Sequence, residues 1–165
     1  MLSYSNAARM VWIIMLLAVL IWLALIVAAP LLAYEQHYFS SLVIYRSFSA
    51  VCHQMPERSF ELFGYPLAVC ARCTGIYAGF LLGLFIYPLA RRLDDETMPD
   101  RRWLLLAAAP MLIDFAGNAV GLFTNSFASR AVTGLIAGAA TAFYILPGLV
   151  AVRSQFFQGR AAARA

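Results

Sequence analysis

The longest uncharged stretch of the chain, residues 11–34, constrains the fold more than any other feature. It exceeds the roughly 20 apolar residues that a helix needs to cross the hydrocarbon core of a bilayer. A cleaved signal peptide is the alternative, because Arg9 precedes the stretch and small residues lie near its end. The apolar part of a signal peptide has only about 7–15 residues, however, so we expect a retained membrane-spanning helix.

Three further apolar stretches have the length of membrane spans. Of the 165 residues, 63% are hydrophobic and the mean hydropathy is +0.78, which is far from the composition of a soluble domain. We therefore predict an all-α fold: a four-transmembrane-helix bundle that forms a single integral membrane domain over residues 1–165. The predicted spans are about 11–34, 67–90, 103–123 and 130–152.

Two polar segments separate the first two spans. Residues 35–51 place apolar side chains at three- to four-residue intervals, which is typical of an amphipathic helix lying on the membrane surface. Residues 52–66 contain Pro56, Gly64 and Pro66, which favour turns, and they predict an ordered loop. An interfacial helix and an ordered loop are thus expected between the first and second spans.

The arginines are unevenly distributed, and all twelve basic residues are arginine. Eight lie at the two termini or in residues 91–102, and four lie on the opposite side of the predicted bundle. The positive-inside rule then places both termini in the cytoplasm, in a plasma (inner) membrane, with residues 35–66 and 124–129 outside. Basic loops also account for the pI of 9.2, so the expected partner is the lipid bilayer and not nucleic acid.

Glycines recur at every fourth position of the second span. Gly75, Gly79 and Gly83 lie on one face of a helix. Small residues at this spacing let two helices approach closely in lipid. We expect this face to pack against another helix.

All three cysteines lie in or beside the predicted outer loop. Together with an adjacent histidine they form the pattern C-H-x16-C-x2-C, made by Cys52, His53, Cys70 and Cys73. A C-x2-C pair with two further nitrogen or sulfur ligands is a common tetrahedral zinc site. The alternative is a zinc site with three cysteine ligands and an open fourth position, in which His53 is hydrogen-bonded to one of the ligands. An open position is typical of catalytic zinc.

Two hypotheses compete with the metal site. A four-helix membrane protein with C-x2-C at the outer end of its second span is similar to quinone-linked disulfide-forming enzymes, in which Cys70 and Cys73 would cycle between dithiol and disulfide. Those enzymes normally use two cysteine pairs, whereas this chain has one pair and a single cysteine. In the third hypothesis the chain is a non-catalytic membrane subunit with a structural metal or disulfide.

Charged residues in the predicted spans mark the same outer region. Asp114 lies about nine residues from the predicted outer end of the third span and needs a partner, for which Arg130 and Arg72 are the candidates. We take Asp114, Arg130 and Arg72 as candidate catalytic residues. A structural ion pair, or a protonated Asp114 bonded to Asn118, is the alternative.

Arginines near one site also indicate an anionic ligand. Guanidinium groups suit carboxylate or phosphate, and lipid phosphate is the nearest source in a membrane. Interfacial anchoring by arginine explains the same residues equally well. If the protein is an enzyme, zinc chemistry on a membrane-embedded anionic substrate is the expected form.

The cysteine region resembles a known family. The strings CHQ-x-P-x-RSF and CARCTGIY resemble the prokaryotic membrane proteins grouped as domain of unknown function 2085. The resemblance covers Cys52–Gly83 closely and excludes the first span. It extends in outline to five later residues, Asp114, Asn125, Arg130, Thr133 and Gly134. The resemblance implies a shared site but assigns no chemistry to it.

Overall fold

The computed structural model describes the backbone of residues 2–162 and the side chains of residues 6–155. Most of this part of the chain is helical. The helices are α1 (Leu2–Tyr34), α2 (Tyr38–Phe48), α3 (Ala71–Ala90), α4 (Arg101–Ala119) and α5 (Phe127–Ala162). The predicted interfacial helix corresponds to α2, and the other four helices overlap the predicted spans.

The loop after α2 contains a small sheet, which corrects the all-α prediction. A single turn of 3-10 helix, Pro56–Arg58, precedes the antiparallel strands β1 (Glu61–Leu62) and β2 (Tyr65–Pro66). The two residues between the strands have positive φ angles, 52° at Phe63 and 80° at Gly64, as a two-residue hairpin turn requires. The Phe63 ring stacks on Tyr34 with the ring centroids 4.7 Å apart, so the hairpin is held against the end of α1.

Three helices of the described chain are long and apolar enough to cross a membrane. They are Asn6–Tyr34, Ala71–Ala90 and Phe127–Gln155. Helix α4, which corresponds to the predicted span 103–123, has 19 residues but is not among them. Two arginines at its start and Asp114 and Asn118 near its end make it more polar than the others.

The glycine face of α3 packs against α5, as predicted from its spacing. A Cβ atom on Gly75 or Gly79 would lie 2.1 Å from the carbonyl oxygen of Ala131 or Leu135, respectively. The contact is reciprocal, because a Cβ on Gly138 of α5 would lie 2.0 Å from the carbonyl oxygen of Ile76. Only glycine permits this approach of the two backbones.

Helix α1 lies along α3 and is fixed to it near both ends. The Trp12 indole donates a hydrogen bond to the Leu84 carbonyl at 2.8 Å. Pro30 lies inside α1, and because proline has no N–H, the Ile26 carbonyl has no intrahelical donor. The backbone N–H of Ala68 donates to that carbonyl at 3.4 Å, which ties the chain just before α3 to α1.

Helix α4 packs mainly against α5 and ends earlier than the hydropathy pattern predicts. Gly121 has φ +75° and the Leu122 N–H donates to the Gly117 carbonyl at 2.9 Å, a common C-terminal cap. The helix therefore ends at Ala119, four residues before the predicted end. The ends of α1 and α4 and the starts of α3 and α5 lie together, and we call this part of the bundle the cysteine end.

Candidate metal centre and adjoining charged network

The three cysteines meet at the cysteine end. The sulfur atoms of Cys52, Cys70 and Cys73 all lie within 4.8 Å of one another. Cys52 follows α2, Cys70 is the N-cap residue of α3, and Cys73 lies in the first turn of that helix. The fold thus unites a sulfur from the loop with the C-x2-C pair, as the spacing predicts.

Cys52 is held by the end of α2 and by an apolar pocket. Its backbone N–H donates to the Phe48 carbonyl at 3.0 Å. The side chain is 7% exposed and packs in a cluster that includes Ile26, Phe48 and Val69. An apolar environment of this kind limits the access of water to the sulfur atoms.

Gln54 clamps the loop two residues after Cys52. Its Nε2 donates to the carbonyl of Tyr45 at 2.8 Å and to that of Ala68 at 2.7 Å. The residue has φ +52°, a conformation that side chains other than glycine and asparagine adopt uncommonly. These hydrogen bonds join α2 to the segment before α3. The sequence alone did not indicate this role for Gln54, because the two acceptors are backbone carbonyls that are distant in sequence.

Backbone amides point at the sulfur atoms. The Cys70 N–H donates to Cys52 Sγ at 3.2 Å. The Cys73 thiol and the backbone amides of Cys73 and Arg72 also form hydrogen bonds to the Cys70 sulfur. Hydrogen-bond donors favour the thiolate over the thiol, and thiolate is the form that binds metal ions.

The sulfur geometry fits a single bound metal ion. With Zn–S bonds of about 2.3 Å, two sulfurs of a tetrahedral site lie about 3.8 Å apart. The observed separations, all within 4.8 Å, approach this value, and the three cysteines are free thiols. The site therefore needs only small shifts to hold a metal through three sulfurs.

His53 is not brought into this cluster. Its side chain is exposed, and the group of close ligand atoms in the described chain comprises the three sulfurs without an imidazole nitrogen. The side chain of Cys52 turns inward and that of the next residue turns outward. The structure thus favours a three-sulfur set over the set that includes His53.

A polar network lies beside the cysteines and connects α3, α4 and α5. Asp114 is 7% exposed, and its Oδ2 accepts from Arg72 Nη2 at 2.5 Å and from Asn125 Nδ2 at 3.0 Å. Arg130 Nε donates to Asn125 Oδ1 at 2.7 Å. Of the two predicted partners, Arg72 therefore contacts Asp114 directly, and Arg130 reaches it only through Asn125.

Asn125 is the residue that makes this network possible. The early end of α4 lets residues 120–126 turn back, so that the backbone N–H of Asn125 also donates a hydrogen bond to Asn118 Oδ1 at 3.3 Å. Asp114 lies five residues from the last residue of α4, not the predicted nine. Asn118 bonds to the returning segment and not to Asp114, unlike the predicted alternative.

Arg58 approaches the same region from the loop. It lies close enough to Arg130 to act on it electrostatically, as do Arg72 and Cys70. The ring of Phe60 lies 5.8 Å from that of Phe127 at the start of α5, which places this part of the loop over the helix. Three arginines therefore lie near one another at the start of α5, and Arg130 among them lies near Cys70.

Comparisons with known proteins agree with the extent of this site. Residues 52–144 match the model of a family described as "Predicted membrane protein (DUF2085)". An uncharacterized protein of Methanocaldococcus jannaschii is 43% identical over 141 residues, which cover 82% of this chain and 90% of that protein. An uncharacterized protein of Methanothermobacter thermautotrophicus is 35% identical over 94 residues, which cover 55% and 80% of the two chains. No solved structure matches the chain.

Proposed function

The chain belongs to the domain of unknown function 2085 family of membrane proteins, and on this premise we propose that it binds one zinc ion through Cys52, Cys70 and Cys73. The observation that carries the proposal is the convergence of three free sulfurs within 4.8 Å of one another. Zinc is favoured over calcium or magnesium because thiolates are ligands for softer metals.

The surroundings of the sulfurs support a resident metal. A thiolate cluster without a metal is unfavourable because like charges repel, whereas an N–H donated to a sulfur stabilises a ligand thiolate. The hydrogen bond from Cys70 N–H to Cys52 Sγ has this form. Burial of Cys52 among apolar side chains would keep competing water away from one side of the metal.

The proposed centre lies at the outer surface of a plasma (inner) membrane. In this arrangement α1, α3, α4 and α5 each cross the bilayer and both termini lie in the cytoplasm. The arginine asymmetry supports this orientation. The polar residues of α4 do not argue against a crossing, because Asp114 is paired and the two arginines lie at its first residues.

Three sulfur ligands leave a fourth position for water or a substrate atom. Zinc held by the three sulfurs would supply Lewis acidity and would lower the pKa of a water bound at this fourth position. The residues of this chain hold the metal, exclude bulk water and, through Arg72 and Arg130, attract an anionic substrate embedded in the membrane. Asp114 positions Arg72 for this role.

Metal content tests the proposal directly. Inductively coupled plasma mass spectrometry of detergent-purified protein is expected to find about one zinc per chain, because the three cysteines form a single tetrahedral site. Cys73→Ser should remove most of the zinc, whereas His53→Ala, the matched control, should retain it. Native protein without metal and with a Cys70–Cys73 disulfide that mild dithiol reduces would overturn the metal centre in favour of a quinone-linked thiol–disulfide enzyme.

A further inference from the structure

The three arginines beside the cysteine cluster carry more positive charge than the protein neutralises. Among the described residues, Asp114 is the one carboxylate in an ion pair with Arg58, Arg72 or Arg130. Arg130 is bonded to the neutral Asn125. An excess of guanidinium groups at one place is unfavourable unless an anion joins them.

Several guanidinium nitrogens also remain available as donors. Arg72 Nε is buried and has no hydrogen-bond partner among the residues that the structure describes, although Nη2 of the same group bonds to Asp114. The Phe115 ring lies 5.6 Å from the Arg72 guanidinium carbon and helps to hold its orientation. Arg130 uses Nε for Asn125, so its two terminal nitrogens can serve an acceptor.

We propose that Arg72 and Arg130, with Arg58 at the rim, bind the phosphate group of the substrate beside the cysteine cluster. The proposal rests on the proposed function in that it takes the metal centre as the place of reaction. Phosphate is favoured over carboxylate by shape and charge. A tetrahedral group can accept from arginines that approach along different directions, and a phosphate monoester carries about −1.5 to −2 charge at pH 7.

The arginines approach from three elements, as a tetrahedral anion requires. Arg72 comes from α3, Arg130 from α5 and Arg58 from the loop. The starts of α3 and α5 both meet here, and their macrodipoles also favour negative charge. Ser126 and Ser129 cap the start of α5 reciprocally: Ser126 N–H donates to Ser129 Oγ at 3.1 Å, and Ser129 N–H donates to Ser126 Oγ at 3.0 Å.

The phosphate can belong to a soluble molecule or to a lipid. Helix α2, which ends four residues before Cys52, exposes Phe39 and Leu42. A helix of this kind lies among lipid headgroups, which would place the arginines at the same level. A soluble phosphate monoester and phosphatidic acid, a lipid whose headgroup is a phosphate monoester, present the same group, and the experiment separates the two sources.

The test is binding of phosphate probes to the full-length chain. Inorganic phosphate binding is measured by calorimetry on detergent-purified protein, and phosphatidic acid binding is measured in nanodiscs against phosphatidylcholine. Arg130→Gln should weaken binding at least about tenfold, because it removes charge-assisted hydrogen bonds. The matched control is Arg46→Gln, an exposed arginine of α2 with no part in the network, and it should leave binding unchanged. Arg130→Lys should recover part of the loss.

The outcomes separate this proposal from that of the metal. Binding of phosphatidic acid alone supports the proposal with a lipid source, and binding of inorganic phosphate supports a soluble one. Arginine-dependent binding by protein that contains no zinc would refute the metal centre while supporting the phosphate site. Three results for zinc-containing protein would overturn the phosphate site. They are binding of neither probe, binding of both probes that Arg130→Gln leaves unchanged, and tighter binding of the dicarboxylate succinate than of phosphate.

Discussion

Arg72 lies between Cys70 and Cys73 in sequence, yet its guanidinium reaches across to α4 and pairs with Asp114 at 2.5 Å. The pair links the turn that carries two cysteines to a different helix. Its position explains how a charged residue is accommodated near the end of α4. It also makes the geometry of the cysteine turn depend on the packing of α4.

The Arg72–Asp114 pair should show strong energetic coupling. Asp114→Ala and Arg72→Ala should each destabilise the protein on the order of 3 kcal/mol, because each leaves the partner's charge buried without compensation. The double variant should lose less than the sum of the two. Thermal unfolding in detergent measures all four proteins, and strictly additive losses would refute direct pairing. Asp114→Ala with Arg130→Ala is the comparison pair, and it should couple more weakly because Asn125 lies between them.

The α3–α5 contact should not tolerate a larger side chain at Gly79. A Cβ there would lie 2.1 Å from the Leu135 carbonyl oxygen, so the two helices must move apart. Gly79→Leu should lower the free energy of unfolding by about 1–3 kcal/mol, the usual range for overpacking. It should also reduce the yield of folded protein. Ala90→Leu, at the exposed end of the same helix, is the control and should change stability little. Equal melting temperatures for the two variants would contradict this packing.

The Gln54 clamp should control metal affinity without contacting the metal. Gln54→Asn shortens the side chain but keeps a residue that tolerates positive φ, so both hydrogen bonds to Tyr45 and Ala68 are lost without added backbone strain. We expect zinc affinity to fall about 10- to 100-fold, as for other residues that orient metal ligands. Chelator competition measures the change, with exposed Glu57→Gln as control. Unchanged affinity would mean that Cys52 is positioned by its apolar pocket alone.

The number of membrane spans can be decided by testing whether the two termini lie on the same side of the membrane. If α4 crosses the membrane with α1, α3 and α5, the N-terminus and the C-terminus lie on the same side; if only the three apolar helices cross, they lie on opposite sides. Fluorescent and alkaline phosphatase reporters fused to each end should both report the cytoplasm. A tag inserted at Glu57 should report the other side. Termini on opposite sides would exclude the four-span arrangement.

Much of the local structure was predictable because it depends on spacing along the chain. The uncharged length of residues 11–34, the glycine repeat of α3 and the three-residue separation of Cys70 from Cys73 each act within one helix. A helix places such residues on one face or in one turn whatever surrounds it. Hydrophobic length therefore predicted the four long helices, periodicity predicted α2, and the three-residue spacing placed two of the three sulfurs in one helical turn.

The assembly of the site was decided by contacts between distant segments. Arg72 and Arg130 were equal candidates to pair with Asp114, and the choice follows from the α3–α5 crossing and from the cap at Gly121, which returns Asn125 between Asp114 and Arg130. The hairpin depends on the stacking of Phe63 on Tyr34, which hydrophobic periodicity does not encode.

The placement of Cys52 shows most clearly the difference between what the sequence determined and what the tertiary structure decided. Sequence determined that a cysteine and a histidine stand side by side before a C-x2-C pair. Tertiary structure decided that the cysteine side chain turns inward and the histidine side chain outward. The physical reason is long-range hydrogen bonding. The Ile26 carbonyl, freed by Pro30, accepts from Ala68 N–H, and the Gln54 side-chain amide donates to the carbonyls of Tyr45 and Ala68, so three hydrogen bonds orient the loop. No pattern within the loop itself specifies those partners.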